Sequence, residues 1–141
     1  MSYKQHRERQ LVFVYGTLMS DLPNNYLLST SEFIGKAITK NKMLLTAEGI
    51  PFLNDLVEDS NIEGEVYSVT EDLLATLDKL EGYRGRNHIN FYERSAIDVI
   101  LKDKKKTELN CWVYIQNDHD ECENISNIGY RKYYENYQNA N

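Results

Sequence analysis

An α+β fold dominated by a small mixed β-barrel, with a few helices outside it, is what the sequence predicts. Three observations carry that expectation. Six or so short segments rich in β-branched and aromatic residues are separated by Gly, Pro, Asn and Asp clusters. Several of these segments carry apolar residues on both faces, which calls for cover on both sides, as in a closed barrel with an outer layer. Helical periodicity is limited, chiefly to residues 70–81 and 130–137.

Residues 1–10 are polar and read as a frayed start. The central strand follows: Leu11, Val12, Phe13 and Val14 run into Tyr15-Gly16-Thr17-Leu18. Such a run predicts a strand buried on both faces and stopped by glycine, whose missing Cβ permits a sharp turn. Past that turn the amides of Gly16, Thr17 and Leu18 lose their ladder partners. Amides released together can form a cradle for an anion such as a carboxylate; a plain surface turn is the other reading. Pro23 can open a short helix carrying Tyr26, Leu27 and Leu28. Residues 33–46 look extended, with Gly35 marking a bulge or bend, and residues 49–53 form a turn into a short apolar piece. Residues 62–69 are a further strand, with Gly64, Val66 and Ser68 on one face and Glu65, Tyr67 and Val69 on the other. Thr70 then supplies an N-cap, Glu71 and Asp72 occupy the positive first turn, and Gly82 ends the helix. Residues 92–101 and 107–115 form a hairpin across a solvated lysine loop. Residues 116–127 read as a polar loop. After Gly129, Tyr130, Tyr133, Tyr134 and Tyr137 share one face of a short helix.

Composition narrows the function. The 141 residues suit a single domain with a real core, and the 41% hydrophobic content argues against disorder. The net charge of −6 disfavours binding to a phosphate backbone, so nucleic acid is an unfavourable partner. Cys111 and Cys122 make no disulfide framework, and the N-terminus has no apolar signal core. No stretch reaches the roughly 20 apolar residues of a membrane span. The expectation is a cytoplasmic protein with no nucleic-acid or membrane partner. Eleven tyrosines, each an apolar ring with a polar tip, suit a polar pocket within a β structure.

One charge sits on an unexpected face. With Leu73 at zero on a helical wheel, Leu77 falls near about 40°, Leu80 near about 340°, Leu74 near about 100° and Glu81 near about 80°. Glu81 therefore lies within the leucine stripe. A buried carboxyl resists ionisation, and its pKa rises toward neutrality, where it can both take and give a proton. Two structural alternatives stand beside this: the last residue of a helix can splay into solvent, and Glu81 can pair with Arg84, Arg86 or Arg94. A carboxylate base beside a nest of amides is a minimal site for acyl-group chemistry on an anionic substrate.

Phe13-Val14-Tyr15-Gly16-Thr17-Leu18, followed by Leu77-Asp78-Lys79-Leu80-Glu81-Gly82-Tyr83, resembles the γ-glutamylcyclotransferase-like family, more narrowly its γ-glutamylamine cyclotransferase and AIG2-like branch. Gly35-Lys36-Ala37, Gly49-Ile50-Pro51, Gly64-Glu65-Val66-Tyr67, Tyr92-Glu93-Arg94, Trp112-Val113-Tyr114 and Gly129-Tyr130 also fit, so the likeness spans about residues 11–134. The resemblance implies a small barrel with a pocket at one end, and an enzyme without metal or other cofactor. It implies intramolecular aminolysis of a small γ-glutamyl substrate, giving 5-oxoproline and a released amine or amino compound. By that resemblance Glu81 is the acid/base, and Tyr15, Gly16, Thr17 and Leu18 contact substrate. Where the family often has proline soon after the Glu-Gly pair, this chain has Arg84 and Arg86. The alternative is a non-catalytic module that holds a small acidic metabolite on the same barrel.

Several other residues carry groups capable of chemistry. Tyr130, just past Gly129, is expected near the pocket as a substrate contact. Residues 118–123 hold Asp, His, Cys and Glu but match no standard metal site, and a solvated acidic loop fits them better. Cys111 lies mid-strand and should pack rather than react. His88 belongs to a surface loop close enough after Glu81 to line the pocket mouth, and Thr17 has no histidine tied to it as a nucleophile would need.

Overall fold

The computed structural model describes residues 9–118 and 121–140. The frayed start expected for residues 1–10 lies mostly outside them. Arg9 and Gln10 instead begin the first strand, β1 (Arg9–Val14), whose last three residues are fully buried. β2 (Glu32–Thr39), β5 (Glu63–Thr70), β6 (Glu93–Leu101) and β7 (Glu108–Ile115) complete a closed barrel in the order β1-β5-β2-β6-β7. Neighbours pair antiparallel, except where β7 meets β1 in parallel at Val12 and Trp112. A closed mixed barrel with helices outside it is the fold class that the both-faces-apolar pattern predicted.

The stretch 33–46 is not one extended segment. It breaks after β2, where Asn41 adopts φ 40°, and resumes as β3 (Met43–Ala47) in a different sheet. β3 pairs with β4 (Ile50–Asn54) through a hairpin whose two turn residues, Glu48 and Gly49, both have positive φ, as a type I′ turn requires. A two-residue strand, β8 (Glu123–Asn124), adds to the other edge of β3. The loop expected at 116–127 thus contains a strand, too short to leave a periodic signal. At Gly35 the β2–β5 register shifts, the bulge that glycine announced.

A short 3-10 helix, Asn25–Leu28, precedes β2, and the first α-helix, α1 (Glu71–Leu80), lies between β5 and β6. Thr70 caps it by accepting a hydrogen bond from Leu73 N at 3.2 Å. Its end is a Schellman motif: Tyr83 N donates to Asp78 O at 2.8 Å, Gly82 N donates to Lys79 O at 3.2 Å, and Gly82 takes φ 70°. Leu77 is fully buried and Leu74 nearly so, each contributing about 1.5–3 kcal/mol of apolar burial. This fixes α1 against the barrel and decides where its C-terminus ends.

Three tyrosine hydroxyls fasten the small sheet to its neighbours. Tyr15 donates to Tyr114 O on β7 at 2.5 Å and accepts from Leu53 N on β4 at 3.1 Å. Tyr92 donates to Pro51 O at 2.5 Å, and Tyr130, at the start of α2 (Tyr130–Ala140), donates to Gly49 O at 2.8 Å. The β3–β4 hairpin is thereby held over one end of the barrel. No helix among the described residues is long and apolar enough to cross a membrane.

Candidate active site

A cavity of about 320 Å³ opens where β1 ends. Tyr15, Gly16, Thr17 and Leu18 form one side, residues 49–51 of the hairpin another, and Glu81 enters from the end of α1. The two stretches singled out in the sequence, more than sixty residues apart, share this space.

The loop after β1 is anchored by its other polar groups. Met19 N donates to Gly16 O, Asn24 N donates to Thr17 O, and the Asn25 amide donates to Leu18 O at 2.9 Å. Thr17 Oγ1 accepts from the Asn24 amide at 2.8 Å. The N–H groups of Gly16, Thr17 and Leu18 make no hydrogen bond to any described residue. The carbonyls are held and the amides are left for something else, which is the arrangement an anion cradle needs. Gly16 is glycine for a different reason from the one the sequence suggested. Its φ is not left-handed; instead a Cβ at this position would lie 2.6 Å from Pro51 Cγ. Close approach of the loop to the hairpin, and not a strained turn, excludes a side chain.

Glu81 caps the C-terminus of α1 and is half-buried. Its carboxyl makes no hydrogen bond or ion pair among the described residues. Desolvation pushes its pKa up from 4.5 to about 7. The carbonyl end of a helix also disfavours a negative charge. None of the three candidate arginines neutralises it. Arg84 and Arg86 are exposed. Arg94 donates to both oxygens of Asp78, at 3.1 and 2.8 Å, and is flanked by the Tyr83 and Trp112 rings, with its guanidinium carbon 5.1 and 4.5 Å from their centres.

Tyr15, Tyr92 and Tyr114 line the same cavity. Burial, reinforced by nearby negative charge, lifts all three phenols well above their usual range. They stay neutral, and their hydroxyl protons are committed to Tyr114 O, Pro51 O and Asp78 Oδ1. Among the described residues that line the cavity, Glu81 is the only one with a charged side chain and the only one able to exchange a proton near neutral pH.

With this geometry in place, the comparisons with known proteins are specific. A family model described as Gamma-glutamyl cyclotransferase, AIG2-like, matches residues 12–135. The chain belongs to this family. A Methanocaldococcus jannaschii protein, whose name marks its gamma-glutamylcyclotransferase assignment as provisional, is 38% identical over 106 residues, covering 74% of this chain and 82% of its own. The gamma-L-glutamyl-butirosin B gamma-glutamyl cyclotransferase of Niallia circulans is 32% identical over 114 residues, covering 79% of this chain and 70% of its own. Among solved structures, an AIG2-like protein from Mus musculus superposes with a TM-score of 0.67 at 26% identity, covering 80% of each chain.

In this γ-glutamylcyclotransferase-family chain Tyr130 stands elsewhere than expected, while the surface-loop reading of His88 and the packed reading of Cys111 hold. Tyr130 does not line the cavity. It stands behind the wall, supporting Gly49 through its hydroxyl, because α2 packs on the outer side of the hairpin. His88 is exposed and does not line the cavity either. Burial pushes the Cys111 thiol up to about 11, so it packs as a thiol. His119 and Asp120 of the acidic loop lie outside the described residues. Sequence reasoning missed Glu65, which is only 2% exposed. It accepts from Ser20 N at 2.8 Å, Ser20 Oγ at 2.7 Å and the Tyr67 hydroxyl at 3.0 Å, and pairs with Arg131 at 3.0 Å. Arg131 also donates to Ser20 O at 2.7 Å. This clasp fixes the far end of the cradle loop to β5 and α2. The available signal was a carboxylate two residues before a tyrosine in the middle of a strand.

Proposed function

We propose that this chain converts a γ-glutamyl amine or γ-glutamyl amino acid into 5-oxoproline and a free amine by intramolecular aminolysis. One observation carries the reading: an unpaired, desolvated carboxyl, poised near neutral pH, shares a small cavity with three uncommitted backbone amides. Family membership and the names borne by the relatives support the same reaction class.

In this mechanism the substrate's α-carboxylate sits on the N–H groups of Gly16, Thr17 and Leu18. Glu81 takes a proton from the α-ammonium, because only the free amine has a lone pair to attack with. The nitrogen adds to the γ-carbonyl carbon and closes a five-membered ring. Glu81 returns its proton to the departing nitrogen, the tetrahedral oxyanion re-forms the carbonyl, and the carbon–nitrogen bond breaks with its electron pair left on the amine. Glu81 then carries the second proton from the ring nitrogen to that freed amine, so the lactam keeps one hydrogen on nitrogen and the leaving group departs as an ammonium. Holding amine and carbonyl together replaces an encounter between separate molecules, so proximity carries much of the acceleration.

The test is 5-oxoproline release from a panel of γ-glutamyl compounds by the wild type and by Glu81→Gln. The proposal expects turnover by the wild type and a loss of about 100- to 10,000-fold in kcat for the variant. Full activity in Glu81→Gln refutes the role of Glu81; tight 5-oxoproline binding with no turnover favours the non-catalytic module.

A further inference from the structure

The cavity is chemically divided. Its uncommitted polar groups are the Glu81 carboxyl and the amides of Gly16, Thr17 and Leu18, while its most exposed lining side chains are apolar. Ile50, Leu80 and Phe91 all line the cavity and are 42%, 45% and 52% exposed, so they form the rim. Phe91 is held in place by edge contact with Tyr92, ring centres 5.0 Å apart, and tilts against Phe52 at 6.0 Å. Among the described residues, no Lys, Arg, His or Asp lines the cavity.

A γ-glutamyl group carries both its charges on the α-carbon, so it requires the polar end. The leaving group is then directed to the rim. We infer that the preferred leaving group is an apolar amine, alkyl or aryl, with no charge beyond its own nitrogen; this rests on the reaction proposed above. A carboxylate on the leaving group would meet no cation, and a second ammonium would find no carboxylate other than the one occupied with proton transfer. Either charge would be partly desolvated against Ile50, Leu80 and Phe91 without a partner, which disfavours it. An alkyl or aryl group instead gains contact with the same three side chains.

The experiment compares kcat/KM for 5-oxoproline release from γ-glutamyl-benzylamide and γ-glutamyl-isopropylamide with that from γ-glutamyl-ε-lysine, γ-glutamyl-alanine and glutathione. The inference expects the two apolar amides to lead by at least about tenfold. A second arm uses Ile50→Lys, a surface change that leaves Glu81 and the loop intact, with circular dichroism as the check on folding. It should narrow or invert the ratio of benzylamide to γ-glutamyl-alanine turnover. Equal turnover across the panel, a lead for the charged leaving groups, or a ratio unmoved by Ile50→Lys overturns the inference while the cyclisation stands. Absence of 5-oxoproline from every compound overturns the cyclisation and the inference together.

Discussion

Glu81→Gln should stabilise the protein at alkaline pH while disabling it. The carboxyl lies at about 7 in the folded chain against 4.5 in the open chain, and burial is the cause. Below pH 4.5 both states hold the proton, so wild type and variant should unfold alike. Between 4.5 and 7 the unfolded chain releases the proton and the folded chain keeps it, so wild-type stability falls as pH rises. Above 7 the gap is constant. At roughly 1.4 kcal/mol per tenfold difference in proton affinity, it reaches up to about 3 kcal/mol. Glutamine never ionises, so the variant escapes this loss. In a chain of this size the gain corresponds to on the order of 10 °C in Tm at pH 8. Urea or thermal denaturation at pH 4 and pH 8 reads it directly. A variant no more stable than wild type at pH 8, or equally stabilised at both pH values, refutes the claim that the folded chain keeps this carboxyl out of water.

Activity should rise with pH, kcat/KM climbing about tenfold per pH unit below 7 and levelling above it, because Glu81 must start ionised; a flat profile from pH 5 to 8 counts against it. Gly16→Ala places a Cβ 2.6 Å from Pro51 Cγ and should lower kcat/KM, by on the order of 100-fold through displacement of the loop. Adding Pro51→Ala removes that Cγ and should restore most of the loss; no rescue means that the contact is not the reason for glycine. Glu65→Gln breaks the pair with Arg131, whose side chain is 38% exposed and so partly rehydrates. The expected cost is about 2 kcal/mol in urea denaturation, with a rise in KM larger than the fall in kcat.

The strand that ends at Val14, the cap at Thr70 and the stop at Gly82 were legible in the sequence because each depends on residues within a few positions of one another. Glu81 was legible because an α-helix has a fixed period, so a charge inside a leucine stripe is visible without coordinates. What was hidden depends on contacts between distant segments. The Glu65 clasp joins residues 45 and 66 positions apart. Gly16 looked like a turn residue, but its constraint comes from Pro51, on another sheet. Tyr130 was expected at the pocket and instead supports it from outside, since nothing local tells which side of the β3–β4 hairpin α2 will cover. Eleven tyrosines did point to a pocket in a β structure. The hydroxyls of Tyr15, Tyr92 and Tyr130, however, hold the hairpin and bind backbone carbonyls.

The proposed chemistry turns on the state of one carboxyl, and that state is measurable at the atom. Carbon-13 NMR of protein labelled at the glutamate side-chain carboxyl, titrated from pH 3 to 9, follows every glutamate separately. One resonance, absent from Glu81→Gln, should titrate near pH 7. If the resonance lost in Glu81→Gln titrates near 4.5 instead, Glu81 stands in water and the proposed proton transfer has no physical basis.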